Sequence, residues 1–256
     1  YEICLSDWSS DVCSSDLATA GVADFANKGV KLTSTVGTRH LTATGAALTK
    51  TNSVTITFGA ATKLAVTTPA AGAVNDVAFT TQPAVTVQDI SGNTVTNSNA
   101  SVVASVNGVV LGGTTSRAAS TGVATFTNLK LTGSTASYTI TYSSTGLSDA
   151  TQPITLSAGA ATKLVLIQSA LGASSRISFA TQPIVEIQDQ YGNRVLTDAT
   201  TIVTLAAEAV DSNGQINQTS GQTLKVAAGR ASFTNFTIGA KAADYKLVIS
   251  AATNSN

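Results

Sequence analysis

The groups in this chain best placed to do chemistry are carboxylates beside turn-forming glycines and amides. Asp89 is followed by Gly92 and Asn93, and Asp189 by Gly192 and Asn193. Calcium takes about six to eight oxygen ligands, from carboxylates, side-chain amides and backbone carbonyls of such turns. One turn offers fewer, and the hundred residues around Asp89, from Gly59 to Ala158, contain no Glu. Asp and Asn also cap tight turns through their own side chains. The capping role is the preferred reading, and no metal-ligating residue is assigned.

The other chemical candidates are weaker. Lys63 or Lys163 with Asn128 or Asn235 has the types for a covalent Lys–Asn cross-link, but that bond needs a buried acid beside it, and only Asp89 or Asp189 is available. His40 is the sole His and has no recurring partner, so it reads as an ordinary surface residue. The Thr-x-Thr pairs Thr55/Thr57 and Thr139/Thr141 would suit a flat ice-binding array, which the twist of ordinary strands spoils. Ser and Thr are plentiful but lack a base to activate them. No catalytic, cofactor-binding or metal-binding residue follows, and no cofactor.

Composition points to the elements that carry these residues. Charged residues make up 11% of the 256, and 14 basic residues balance 14 acidic ones, which removes the electrostatic case for nucleic acid. Abundant Thr, Val and Gly favours strands joined by short turns. No apolar run reaches the roughly 18 residues of a membrane span. The two cysteines, Cys4 and Cys13, both precede residue 18, so packing, and no disulfide framework, must hold the rest. Asp7–Leu17 reads DWSSDVCSSDL and resembles translated sequencing-adapter read-through. Residues 1–17 are therefore expected to be disordered and foreign to the fold; without them the chain carries a net +4, since Glu2, Asp7, Asp11 and Asp16 go with them.

The remainder repeats. Gly59–Leu64 returns as Gly159–Leu164, Phe79-Thr-Thr-Gln-Pro83 as Phe179-Ala-Thr-Gln-Pro183, and Gln88-Asp89 with Gly92-Asn93 as Gln188-Asp189 with Gly192-Asn193, each displaced by 100. Gly122–Asn128 returns as Gly229–Asn235 and Tyr138 as Tyr245, displaced by 107. The seven-residue insertion between them is expected in a polar surface loop near Asp211–Gln222. Gly21–Asn27 is the same element one repeat earlier, with Arg39 at the Tyr place. The expected modules are 18–58, the C-terminal half of one; 59–158, complete; and 159–256, which stops before its last strand.

An apolar period of two marks strands with one buried face. Val85 and Val87 point inward, as do Val185 and Ile187, placing Thr86, Gln88, Glu186 and Gln188 outside. Tyr138, Ile140 and Tyr142 match Tyr245, Leu247 and Ile249. Around Phe126 the apolar step changes from three (Leu129) to two (Leu131), as it does at Phe233, Phe236 and Ile238, predicting a bulge or bend at Asn128 and Asn235. Strands are expected near Lys63, Val85, Val102, Ser116, Phe126, Ile140 and Ile154. About seven short strands in a hundred residues predicts an all-β immunoglobulin-like sandwich.

The order V-x-V-x-D-x-x-G-N (Val85–Asn93), G-V-A-x-F (Gly122–Phe126), then a Tyr strand at Tyr138, resembles the tandem bacterial immunoglobulin-like repeats of large surface proteins and adhesins, in the invasin and intimin style. The resemblance covers residues 18–256. Ala136-Ser-Tyr138 and Ala243-Asp-Tyr245 also resemble a tyrosine corner, whose hydroxyl pins a loop. The resemblance implies an extracellular or cell-surface setting, with neighbouring modules of the same chain as first partners and a host or cell-surface glycan or protein as a further one. The expected role is a non-catalytic spacer or stalk. The alternatives are a glycan- or protein-binding module and an accessory module of a secreted polysaccharide-degrading enzyme. Tyr191, whose counterpart is Ser91, is the one loop aromatic that would suit a glycan binder.

Overall fold

The computed structural model describes residues 3–7, 10–14, 36–45, 48–210, 216–239 and 245–253; Trp8 and the Gly21–Asn27 element lie outside them. No helix occurs among the described residues, and the fold is all-β, as its composition predicts. Two hairpins come first: β1 (Ile3–Asp7) with β2 (Ser10–Ser14), and β3 (Gly37–Gly45) with β4 (Leu48–Ile56). In the first hairpin Cys4 stands opposite Cys13.

The central sandwich is built from β5 (Ala61–Thr68), β6 (Ala84–Asp89), β7 (Ser101–Val106), β8 (Val110–Gly112), β9 (Ser116–Ala118), β10 (Val123–Thr125), β11 (Lys130–Thr132), β12 (Ser137–Ser143) and β13 (Ala150–Thr155). One sheet has the order β10-β6-β5 and the facing sheet β13-β12-β7-β9, with β8 and β11 pairing separately. First, second and fifth principal strands against third, sixth and seventh is the immunoglobulin-like arrangement. Val85, Val87, Val102, Leu129, Leu131, Ile140 and Tyr142 are wholly buried between the sheets. The Phe126 and Tyr142 rings meet there at 5.8 Å between centroids. The strand expected at Phe126 is two strands, β10 and β11, with the chain turning between them at the predicted bend.

The C-terminal sandwich repeats this with β14 (Lys163–Gln168), β15 (Ile184–Gln188), β16 (Thr201–Val210), β17 (Ile216–Lys225), β18 (Arg230–Ser232) and β19 (Tyr245–Thr253), in sheets β14-β15-β18 and β17-β16-β19. Its core holds Val185, Ile187, Val203, Leu205, Phe233 and Phe236. Ile249 replaces the Tyr142 ring, and Phe179 instead stacks on Phe236 at 5.8 Å.

Two expectations are corrected. The insertion is no loose loop. The displacement between copies is 100 at the turn closed by Asp198 (Ser98), 101 at wholly buried Val203 (Val102) and 107 at Val226 (Ala119). One extra residue thus lies just after Asp198, whose carboxylate takes the Thr200 and Thr201 N–H groups. The other six lengthen the hairpin, so that β16 and β17 pair from Ile202↔Lys225 to Val210↔Ile216. Alternating Thr, Gln and apolar residues satisfy their backbone groups better in a ladder than in a loop. Second, Thr86 and Glu186 are covered, at 3% and 9% exposure, because β6 and β15 are the middle strands of their sheets. The Thr86 hydroxyl meets Thr67 at 2.9 Å. Glu186 is held by Arg230 at 2.6 Å, with Arg194 at 3.6 Å.

Candidate functional site

The repeated Asp-x-x-Gly-Asn turn is where the two sandwiches meet. After β6 the chain reverses, with Gly92 at φ 86°. The Asp89 carboxylate accepts the N–H of Asn93 at 2.8 Å and its side-chain amide at 2.9 Å. It also accepts the N–H of Gly59, at the entry to the module, at 2.8 Å. The copy does the same: Asp189 accepts from Gly159 N–H at 3.0 Å, Tyr191 N–H at 2.9 Å and Asn193 N–H at 2.9 Å. The backbone N–H of Gly59, then the Asn93 amide, hold the Asp89 carboxyl down at about 2, against the cost of burial. At Asp189 burial pushes upward, but the N–H groups of Gly159 and Asn193 outweigh it and the value is lowered. Both oxygens of each carboxylate are thus taken by N–H donors, which suits a capped turn better than a calcium ligand.

The Asn that closes the turn reaches the preceding sandwich. Asn193 accepts the Thr135 N–H at 2.9 Å through Oδ1 and donates to the Gly133 carbonyl at 2.9 Å through Nδ2. The same carbonyl accepts from Asn75 at 2.5 Å, and the Gly133 N–H returns to Asn75 Oδ1 at 3.1 Å. One module earlier, Asn93 Oδ1 accepts the Val36 N–H at 3.1 Å.

The linker is held from both sides. Ser157 donates its N–H to the Ala73 carbonyl at 3.0 Å and accepts from the Asn75 N–H at 3.0 Å, which binds it to the central sandwich. Gly159 is bound to Asp189, and Thr162 N–H to the Gln188 carbonyl at 2.9 Å. Between these anchors lies Ala158, which packs against the C-terminal core. A Cβ on Gly159 would come within 3.0 Å of the Asn75 carbonyl, so the approach is close as well as short.

An ionic cluster adds to the seam. Asp76 takes the Lys130 ammonium at 2.6 Å and the Gln190 amide at 3.3 Å. The hydrogen bond from Lys130, then one from the Tyr191 hydroxyl, lowers the Asp76 carboxyl below its usual value. Burial and the Asp76 carboxylate push the Tyr191 phenol up. Tyr191, the candidate glycan platform, is 41% exposed.

The remaining candidates are not brought together. Lys163 donates to the Gln190 carbonyl at 2.6 Å, and Asn128 Oδ1 accepts the Thr114 N–H at 2.8 Å. Asn235 sits in the bend at φ 57°, and Lys63 stands on β5 beside Ser148. His40 is exposed, with the Ser53 hydroxyl at 3.1 Å. Thr55, Thr57 and Thr139 are exposed and Thr141 is half-buried, as strand-surface residues are. Tyr138 fulfils the corner expectation in its hydroxyl, which donates to the Ser134 carbonyl at 2.6 Å, while its ring is only half-buried. The buried phenol is that of Tyr142, donating to Gln152 at 3.2 Å.

The motif Phe-x-Thr-Gln-Pro marks the repeat, yet its role is visible only in three dimensions. Gln82 accepts the Leu129 N–H at 2.9 Å and donates to the Leu129 and Phe79 carbonyls, at 3.0 and 3.2 Å. Gln182 does the same for Phe236 and Phe179. Each amide bridges the bend after the fifth principal strand to the loop before the second. Asn75, Asp76, Lys130 and Gly133 left no repeat signal, since Ser175, Arg176 and Thr237 stand at the first three places in the next copy.

No protein-family model and no curated protein sequence matches the chain. Solved structures do. InvD of Yersinia pseudotuberculosis is similar at 19% identity and a TM-score of 0.36, over 80% of this chain and 67% of that one. The Escherichia coli adhesin FdeC matches at 14% and 0.35, over 84% and 73%. A β-glucuronidase of glycoside hydrolase family 2 matches at 10% and 0.34, over 99% of this chain and 36% of that one. At such scores these likenesses assign neither family nor function.

Proposed function

We infer that the chain is a non-catalytic spacer of a bacterial cell-surface or secreted protein, a stalk of immunoglobulin-like modules of the adhesin type. Its modules are taken as 18–58, 59–158 and 159–256, and its first partners are the neighbouring modules. The observation that carries this reading is the linker. Ser157 belongs to one sandwich and Gly159 to the next, and the turn that grips Gly159 also grips Thr135 and Gly133 of the sandwich before. Repeating one turn at each junction gives a stiff array, in which adjacent modules restrict each other. A flexible tether would need none of these bonds.

The glycan-binding alternative finds less support, because the one loop aromatic, Tyr191, has Ser91 as its counterpart in the central module. Small-angle scattering on the 256-residue chain is the test. A stalk gives an elongated particle of fixed dimensions that salt does not change, and the Asn93→Ala/Asn193→Ala double variant broadens it. A profile already described by freely jointed sandwiches in the parent protein would remove the proposal.

A further inference from the structure

In the central sandwich β9 is the last strand of one sheet, β13-β12-β7-β9, and β10 the last of the other, β10-β6-β5. Between these two edges lies a cleft of about 390 Å³ lined by Ser116, Arg117, Ala118, Ser120, Val123 and Thr125, within the range of about 300–1,000 Å³ common for small-molecule sites. Arg117 stands opposite wholly buried Val102, so its stem runs along the core and its head emerges between the sheets. Its Nε donates to the Thr125 carbonyl across the cleft at 3.0 Å. Among the described residues its two Nη groups have no partner, and no carboxylate pairs with it.

The rest of the lining is neutral and rich in hydroxyls. Ser116, Ser120 and Thr125 are exposed, and the Ser116 hydroxyl meets that of Ser101 at 3.1 Å. Backbone groups of Ser116 and Ala118 also face the cleft. The alternate residues bond to β7 instead: the Thr115 carbonyl accepts from Ala104 at 2.8 Å, and the Ala119 N–H donates to Ala100 at 2.9 Å. Ser120 is held by a tight turn, its N–H on the Val123 carbonyl at 2.9 Å and its carbonyl on the Val123 N–H at 3.0 Å.

The C-terminal sandwich has the same frame without the polar groups. Ala227 and Arg230 close the same turn at 2.9 and 3.1 Å, so Ala227 takes the place of Ser120. Leu224 stands opposite wholly buried Val203 as Arg117 stands opposite Val102, and it packs on the core. Leucine therefore suffices to close this edge, and the fold does not require a cation there.

We propose that the groove of the central sandwich binds a carboxylated sugar, with the carboxylate on the Arg117 Nη groups and the ring hydroxyls on Ser116, Ser120 and Thr125. A guanidinium presents paired N–H donors that match the two oxygens of a carboxylate. Serine and threonine hydroxyls both donate and accept, as sugar hydroxyls do. The only apolar side chains in the lining are those of Ala118 and Val123, too little to hold the side chains of an acidic peptide. None of these residues makes the junction bonds described above, so the site adds a ligand to a spacer and leaves its stiffness alone.

The test is titration of the 256-residue chain with sodium glucuronate, followed by amide chemical shifts, with glucose and acetate as controls. Saturable shifts at Arg117, Ser120 and Thr125 are expected, with a Kd of about 1–10 mM, and none at Leu224 or Ala227. Glucose, which lacks the carboxylate, and acetate, which lacks the ring, should each bind at least about tenfold more weakly. Arg117→Leu, which installs the residue of the other sandwich, should abolish the shifts and leave thermal melting unchanged. Ser120→Ala should weaken binding about threefold. No saturable shift at about 50 mM glucuronate overturns the site, as does retained binding in Arg117→Leu. Acetate binding as tightly as glucuronate removes the sugar from the proposal, and glucose binding as tightly removes the carboxylate; either result overturns it.

Discussion

Replacing Asn193 by Ala separates the junction from the sandwiches it joins. The side chain accepts the Thr135 N–H and donates to the Gly133 carbonyl and the Asp189 carboxylate. Each neutral bond is worth about 1 kcal/mol net, and the bond to the carboxylate about 1.5–3. Water reaches this partly buried site and recovers some of the sum, so a loss of about 2–3 kcal/mol is expected. The loss should fall on the C-terminal sandwich, whose turn is directly weakened. Native-state hydrogen exchange resolves the two cores separately. Amides of Ile187 and Val203 should exchange about 30- to 150-fold faster, the equivalent of that energy, while those of Val102 and Ile140 stay within a few-fold of the parent. The Thr135 amide should lose protection altogether. If Thr135 remains protected and Val203 exchanges as before, the bonds at the junction do not couple the sandwiches and the reasoning fails.

Other consequences are as specific. Gln82→Ala removes an amide that serves Leu129 and Phe79 together, and chemical denaturation should show a loss of about 2–4 kcal/mol confined to the central sandwich. Gly122→Ala should cost at least about 1–3 kcal/mol, because the residue sits at φ 78° and a Cβ would meet the Val95 carbonyl at 2.5 Å; Gly146→Ala, also at positive φ but in open space, should cost less in the same assay. Asp89 titrates at about 2 in the fold against roughly 3.9 in an unfolded chain. A lowered folded value means its stabilisation is complete above pH ~4 and is lost as pH falls toward 2. The thermal midpoint should drop through that window, and an Asp89→Asn variant should drop less.

Most of the fold was legible because two copies of one module could be compared. Period-two burial at Val85/Val87 and Val185/Ile187, the bend at Asn128, and the capping role of Asp89 and Asp189 all came from residue types that recur at fixed displacement. Reading failed where neighbours outside the strand decide exposure. Thr86 and Glu186 occupy outward positions by alternation, yet flanking strands and two arginines cover them. The hairpin of β16 and β17 was misread as a loop because polar Thr and Gln suit both. Half of the junction was hidden for a different reason: Asn193 repeats, but its partners Gly133 and Thr135 are met through backbone atoms, and Asn75, which grips the same Gly133, occurs in one copy only.

The central claim is that neighbouring sandwiches are fixed to one another. Spin labels at Ser105 in the central sandwich and Lys225 in the C-terminal one, both exposed, with Cys4 and Cys13 replaced by Ser, measure it directly through the distance distribution across the junction. The account predicts one narrow distance in the parent chain and a broad one in Asn193→Ala. A broad distribution in the parent, indistinguishable from the variant, would contradict it.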